Sequence, residues 1–67
     1  MQFIHFIETN FDGKERSVWL DPSQVCLVQE TAEHNPLINS VIYFNNGEYI
    51  QTTEYSATVL AKLGITS

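Results

Sequence analysis

The side chains that could perform catalysis or bind a metal are few and widely spaced. The two histidines are His5 and His34, and the single cysteine is Cys26. A metal site would need His5 to fold close to His34 and a carboxylate such as Glu33. A nucleophilic cysteine would need a neighbouring base and an exposed position. We therefore predict no catalytic residue, no metal site, no cofactor and no enzymatic activity. Cys26 is interpreted as a small buried apolar group on a strand.

The charged residues are mostly acidic, which restricts the class of partner. Eight acidic and three basic residues give a net charge of −5. Proteins that bind nucleic acid usually present a basic patch to the phosphates, and the only bases are Lys14, Arg16 and Lys62. We expect no direct binding to nucleic acid. The scattered carboxylates can attract a partner with a basic surface, or they can serve only as a solvated polar face.

The length predicts a single domain over residues 1–67 that is marginally stable alone. A chain this short buries only about 60% of its unfolded surface, and a disulfide, a metal or a partner chain often compensates. With one cysteine there is no internal disulfide, so we expect a homo-oligomer. No apolar run approaches the roughly 20 residues that span a bilayer. We expect a soluble chain, and one free cysteine suits the reducing cytoplasm.

Apolar periodicity and turn signals predict five strands followed by one helix. Asn46-Gly47 between two runs of β-branched and aromatic residues is a strong hairpin signal, and Asp12-Gly13 marks a second hairpin. Asp21 is placed to cap the short turn that begins at Pro22. The strands are predicted over 2–8, 16–20, 25–30, 38–44 and 48–52, with the helix over 54–63.

The helix is delimited by residue types typical of helix ends. Thr53 is the predicted N-cap, and Gly64 is the predicted stop. Because the connections between the strands are short, consecutive strands are expected to pair. The predicted fold class is α+β: a five-stranded antiparallel β-meander that can curl into a half-barrel, with one C-terminal α-helix covering one face or an open end.

Part of this pattern resembles a known family. The features are Leu20-Asp21-Pro22 followed by Val25 and Glu30, the run Val41-Ile42-Tyr43-Phe44 with Asn46-Gly47, and Thr53-Glu54 before Val59. From Arg16 onward, over about two-thirds of the chain, the sequence resembles the FlbD family of small flagellar regulatory proteins. The loop 32–37 is longer than that family's turn, and the first strand is more apolar. Since the matching positions are turn and core residues, the resemblance implies a small regulator but does not carry over a flagellar function.

The apolar residues of the predicted strands lie on both faces of the sheet. If Val18 and Leu20 face the core, Trp19 faces outward. One short helix covers one face only, and burial of each large apolar side chain is worth roughly 1.5–3 kcal/mol. We therefore expect another chain to cover part of the sheet. The predicted interface consists of Trp19, Phe6, Ile4, Ile42 and Phe44, with the Val41/Tyr43 face as the alternative to Ile42/Phe44.

These observations favour a non-enzymatic protein–protein interaction module. It would be a small regulator, an adaptor or a phage-type inhibitor that forms a homo-oligomer and binds a protein partner. The alternative function is a small-ligand or nucleotide-binding module with an inter-subunit groove lined by Trp19, Tyr43 and Tyr49. A closed barrel that tolerates large side chains on its outside is the structural alternative to any interface.

Overall fold

The computed structural model describes residues 2–10, 12–31 and 38–64. The described strands form one antiparallel sheet that precedes a single helix, so the predicted α+β class is confirmed. The elements are β1 (Ile4–Thr9), β2 (Glu15–Leu20), a 3₁₀ turn (Pro22–Gln24), β3 (Val25–Glu30), β4 (Ser40–Phe44), β5 (Tyr49–Thr52) and α1 (Ser56–Leu63). The predicted loop 32–37 lies outside the described residues.

The strand order in the sheet is β2-β1-β5-β4-β3. Consecutive strands pair as predicted except β2 and β3, which form the two edges, and β1 pairs instead with β5 at Glu8 and Thr52. The edges are joined only by residues 21–24, which span at most about 19 Å between Leu20 and Val25. The sheet must therefore coil so that its edges approach each other, although they are not hydrogen-bonded into a closed barrel.

The β4–β5 turn owes its shape to Gly47. The Gly47 N–H donates to the Phe44 carbonyl (3.0 Å), and the Phe44 N–H donates to the Glu48 carbonyl (2.9 Å). Gly47 has a φ of 88°, in the left-handed region that glycine adopts without strain. The Asn46 side chain adds a bond by accepting from the Glu48 N–H (2.9 Å). The hairpin predicted from Asn46-Gly47 is confirmed.

The β1–β2 turn repeats the same hydrogen-bond pattern. The Gly13 N–H donates to the Asn10 carbonyl, and the Asn10 N–H donates to the Lys14 carbonyl, both at 2.9 Å. Asp12 Oδ1 accepts from the Lys14 N–H at 3.0 Å. Because β1 ends where β5 begins, the two turns lie at the same end of the sheet.

The core lies between the sheet and α1. It is formed by buried side chains from three strands and two positions of the helix, with further strand residues partly buried around it. The buried members are Phe6, Leu20, Ile42, Val59 and Leu63, and the partly buried ones are Ile4, Val18, Val25, Val28, Phe44 and Ile50. The Lys62 ammonium lies 4.3 Å above the centroid of the Phe6 ring, a cation–π contact that fixes the last turn of α1 to β1.

A β-bulge in β3 changes which residues face the core. Val25 and Leu27 pair with consecutive residues of β4, so Cys26 is the extra residue. Strict alternation predicts that Val25 and Leu27 share a face and that Cys26 shares the other with Val28. That prediction is wrong: Val25 and Val28 pack on the core, while Leu27 is 52% exposed. Cys26 is also exposed, contrary to its predicted burial.

The helix is shorter at its start than the predicted range 54–63. It begins at Ser56, and its N-cap is Tyr55, which makes no side-chain capping bond, so the prediction of Thr53 as the cap is wrong. The predicted end is confirmed. Gly64 adopts a φ of 77°, and its N–H donates back to the last turn of the helix.

Side chains from the start of β4 explain why the helix does not begin earlier. Asn39 Nδ2 donates to the Thr53 carbonyl at 2.7 Å, and the Ser40 hydroxyl donates to the Glu54 carbonyl. Each of these bonds ties a carbonyl of the connection to the residues at the start of β4, which favours the bend at residues 53 and 54 over a helical turn. Residues 53 and 54 therefore serve as the connection between β5 and α1.

Candidate protein-interaction surface

The outer face is the surface of the sheet that points away from α1. Strand alternation and the pairing register define its members. When histidine is counted as neutral, Glu15 is the only charged residue among the described members. Its members are Phe3, His5, Ile7, Thr9, Glu15, Ser17, Trp19, Leu27, Gln29, Val41, Tyr43, Tyr49 and Gln51. Depletion of charge together with exposed aromatic groups is the composition typical of the centre of a protein interface.

The first exposed part of the outer face is the tryptophan patch, formed by Phe3, His5 and Trp19. His5 and Trp19 are opposite each other on β1 and β2, and their ring centroids are 5.1 Å apart. Phe3 lies two residues before His5 and is 57% exposed; Trp19 is 63% exposed. The Trp19 ring is therefore an aromatic neighbour of His5.

The second exposed part is the tyrosine row, formed by Leu27, Tyr43 and Tyr49. These residues are aligned across β3, β4 and β5 in the pairing register. The two tyrosine rings are 5.7 Å apart and tilted by 41°. Leu27 and Tyr49 are more than half exposed, and Tyr43 is half-buried. The bulge at Cys26 makes this row possible, because it turns Leu27 outward next to Tyr43.

A less accessible strip separates these two parts on the sheet. Val41 and Thr9 are buried although both belong to the outer face, and Gln51 between them is half-buried. The Thr9 hydroxyl has no hydrogen-bond partner among the described residues. Contacts with another molecule are therefore expected at the tryptophan patch and at the tyrosine row rather than at this strip.

The structure corrects two of the five predicted interface residues. Phe6 and Ile42 have no exposed surface and belong to the core, so neither can meet a second chain in this conformation. Ile4 and Phe44 are partly buried against the same core. The cause is the helix, which covers the Ile42/Phe44 side of the sheet and leaves the alternative Val41/Tyr43 side outside. Only Trp19 is exposed as predicted.

The predicted aromatic groove is not assembled as a single feature of the sheet. Tyr43 and Tyr49 contact each other, but Trp19 contacts His5. β1 separates the Trp19 strand from the Tyr49 strand in the sheet. Measured along the strands from the pairing of Glu8 with Thr52, Trp19 and Tyr49 differ by six positions, about 20 Å.

One end of the sheet, named here the acidic end, carries several exposed charged groups. It comprises the two hairpin turns, and the Asn45 N–H donates to the Gln24 carbonyl (2.9 Å), which holds the last residue of the 3₁₀ turn beside the β4–β5 turn. Three carboxylates and one base lie in or next to the two hairpin turns. They are Asp12, Glu15 and Glu48, with Lys14 as the base.

Two carboxylates, Asp21 and Asp12, stabilise the turns in which they lie. Asp21 Oδ1 accepts from the Ser23 N–H (3.0 Å) and the Ser23 hydroxyl (2.8 Å), which confirms Asp21 as the cap of the 3₁₀ turn. Asp12 has an analogous role in the β1–β2 turn.

The other two basic residues are ion-paired, Arg16 next to Glu15 on β2 and Lys62 on α1. Arg16 Nε donates to Glu8 (2.8 Å), and Lys62 contacts both oxygens of Glu54 at 3.1 and 3.2 Å. Because these cations are already matched by carboxylates, they do not form a basic patch for phosphate groups.

The residues suited to chemistry are not brought together in the described part of the chain. Within residues 2–10, 12–31 and 38–64, no three His, Cys, Asp or Glu side chains are grouped so that they could hold a metal ion. His34 and Glu33 lie outside those ranges. Among the described residues, no helix is long and apolar enough to cross a membrane.

Comparison with known proteins adds no relative. The chain matches no protein-family model, no curated protein and no solved structure. The resemblance to the FlbD family stays a prediction. The function must therefore be argued from the chain's own surface.

Proposed function

We propose that this chain is a non-enzymatic protein-interaction module, a small regulator or adaptor whose outer face binds other protein chains. The observation that carries the proposal is the composition of that face. Trp19, Tyr49 and Leu27 are each more than half exposed on a surface where, among the described residues, Glu15 is the only charged member. Exposed aromatic side chains on a charge-depleted surface are enriched where proteins bind proteins.

The size of the face indicates what kind of contact it can make. The molecule measures 32 × 24 × 20 Å, so its broadest side is comparable to the about 800 Å² that each partner contributes to a standard interface. A stable complex would need most of this side. The tryptophan patch and the tyrosine row, each used alone, suit weaker and reversible contacts.

We assign self-association to the tryptophan patch. In a dimer with two-fold symmetry the same surface of each copy meets itself, so a surface with mostly acidic charge would face a second acidic surface. The tryptophan patch contains no charged residue with His5 neutral, and Trp19 and Phe3 supply large exposed apolar groups. It therefore suits a second copy better than the acidic end does.

The experiment is sedimentation velocity of the 7.7 kDa chain at several concentrations, with Trp19→Ala compared with Tyr55→Ala. Tyr55 is a matched control, since it is an aromatic residue 66% exposed outside the outer face. We expect the native chain to sediment faster as its concentration rises, Trp19→Ala to weaken this effect by about tenfold or more, and Tyr55→Ala to preserve it.

Thermal unfolding of the same variants shows whether the fold is intact. We expect Trp19→Ala to shift unfolding of the monomer only slightly, because the side chain is largely exposed. A chain that stays monomeric at millimolar concentration, or one in which Trp19→Ala and Tyr55→Ala behave alike, would refute self-association through this patch.

The compartment and the alternative function follow from the same surface. The exposed Cys26 is compatible with a reducing environment, so we propose a cytoplasmic location. A nucleotide-binding groove receives less support, because the tyrosine row adjoins the acidic end, where carboxylates repel phosphate.

A further inference from the structure

We infer that the tyrosine row is a docking site for a basic protein segment that carries apolar side chains. This inference rests on the proposed function and assigns the occupant of one part of the outer face. The segment would be arginine- or lysine-rich, with leucine-like or aromatic residues between the basic ones. The row would contact the apolar residues, and the acidic end would attract the basic ones.

The row has the shape and exposure of a small docking surface. Leu27, Tyr43 and Tyr49 lie side by side across three strands. Leu27 (52%) and Tyr49 (57%) leave apolar area in water that the single helix cannot reach, because α1 lies on the opposite side of the sheet. Gln29 and Gln51 are next on this face and can bond to a partner's backbone without adding charge.

The charge around the row selects the partner. Glu48 directly precedes Tyr49 in the β4–β5 turn and is exposed. Asp12 is exposed in the neighbouring β1–β2 turn, at the same end of the sheet. Carboxylates at the rim of an apolar patch accelerate association with a cationic partner and disfavour an anionic one.

A second copy of this chain is a poor occupant of the tyrosine row. Each copy carries a net charge of −5, and a two-fold contact here would bring two acidic ends close together. The chemistry of the row also favours a cation, since tyrosine rings attract guanidinium and ammonium groups over their faces. Within the chain itself, Lys62 makes such a contact on the Phe6 ring.

The test uses three labelled synthetic peptides of about ten residues, with binding followed by fluorescence anisotropy. One alternates arginine with leucine, one alternates arginine with serine, and one alternates glutamate with leucine. We expect the arginine–leucine peptide to bind the full chain most tightly. Its affinity should fall as the salt concentration rises from about 50 to about 500 mM. Equal binding of the arginine–serine peptide would overturn the role of the apolar row.

Variants then locate the site on the chain. Tyr49→Thr keeps a residue that favours strands and should lower the affinity for the arginine–leucine peptide about tenfold. Glu48→Gln removes one charge and should lower the affinity for the same peptide about two- to fivefold. Glu30→Gln is the matched control: it removes one charge at the other end of β3 and keeps an oxygen for the Ser56 hydroxyl (2.8 Å).

The outcomes separate this inference from the proposed function. Peptide binding that is insensitive to Tyr49→Thr and Glu48→Gln, or equally sensitive to Glu30→Gln, refutes docking at the tyrosine row. Self-association through Trp19 would still support the interaction module in that case. Circular dichroism of each variant confirms that the fold is retained, and Leu27→Ser provides a second variant of the row if Tyr49→Thr unfolds.

Discussion

Two substitutions that remove different numbers of carbon atoms test which side of the sheet faces the core. Ile42→Val removes one methyl group from a side chain with no exposed surface, while Leu27→Ala removes three carbon atoms from one that is 52% exposed. Buried Ile→Val changes typically cost about 0.5–1.5 kcal/mol, whereas surface changes usually stay within about 0.5 kcal/mol. The smaller truncation should therefore cause the larger loss of stability.

These costs are measurable against the stability of so small a domain. At about 0.05–0.15 kcal/mol per residue, the whole chain is stable by roughly 3–10 kcal/mol. Each kcal/mol lost lowers the midpoint of thermal unfolding by about 4–8 °C in a domain of this size. Phe6→Ala, at about 3–5 kcal/mol for a buried phenylalanine, should leave a large unfolded population.

The assay is urea unfolding followed by far-ultraviolet circular dichroism at low protein concentration, where self-association is negligible. The midpoint should fall for Ile42→Val at an unchanged slope and stay nearly constant for Leu27→Ala. A larger loss for Leu27→Ala than for Ile42→Val would refute the assignment of the faces. A folded Phe6→Ala that had lost only self-association would instead place Phe6 at an interface.

Two further predictions concern single positions. Gly47→Ala should lower the free energy of unfolding in urea by about 1–2 kcal/mol. The cost comes from the left-handed backbone alone, since a Cβ at this position would meet nothing within 4 Å. Gly47→Asn should cost less because asparagine tolerates this conformation, and equal costs would contradict this explanation. Cys26 should react with a thiol reagent in the native chain about as fast as in urea, because it is exposed at the bulge; strong protection in the native state would contradict its position.

Local signals in the sequence predicted the turns well because each depends on a few neighbouring residues. Gly13, Gly47 and Gly64 are all needed for a positive φ, and Asp21 caps the 3₁₀ turn as its position indicates. These features follow from backbone sterics and short hydrogen bonds, which the residue type fixes.

Features that depend on distant contacts were not predictable from the same signals. Ile42/Phe44 and Val41/Tyr43 are alternating pairs of large side chains on one strand, and only the position of α1 decides which pair packs on the core. The start of the helix is set by Asn39 and Ser40, more than a dozen residues earlier in the chain.

The bulge had the greatest effect on the predicted site. One extra residue, Cys26, breaks the alternation that a strand pattern assumes, so Leu27 moves to the outer face and completes the tyrosine row. Trp19 and Tyr49 lie apart on one chain for a related reason. The order of the strands places β1 between Trp19 and Tyr49, and no residue pattern within either strand encodes that order.

The contact between β1 and β5 determines when the newly made protein can fold. The pairing of Glu8 with Thr52 requires that Thr52 has been synthesised. The core is then complete only when Val59 and Leu63 of α1 have followed. During synthesis the first hairpin therefore leaves the ribosome with Phe6 and Leu20 still in water, and the core can form only once Leu63 has also emerged.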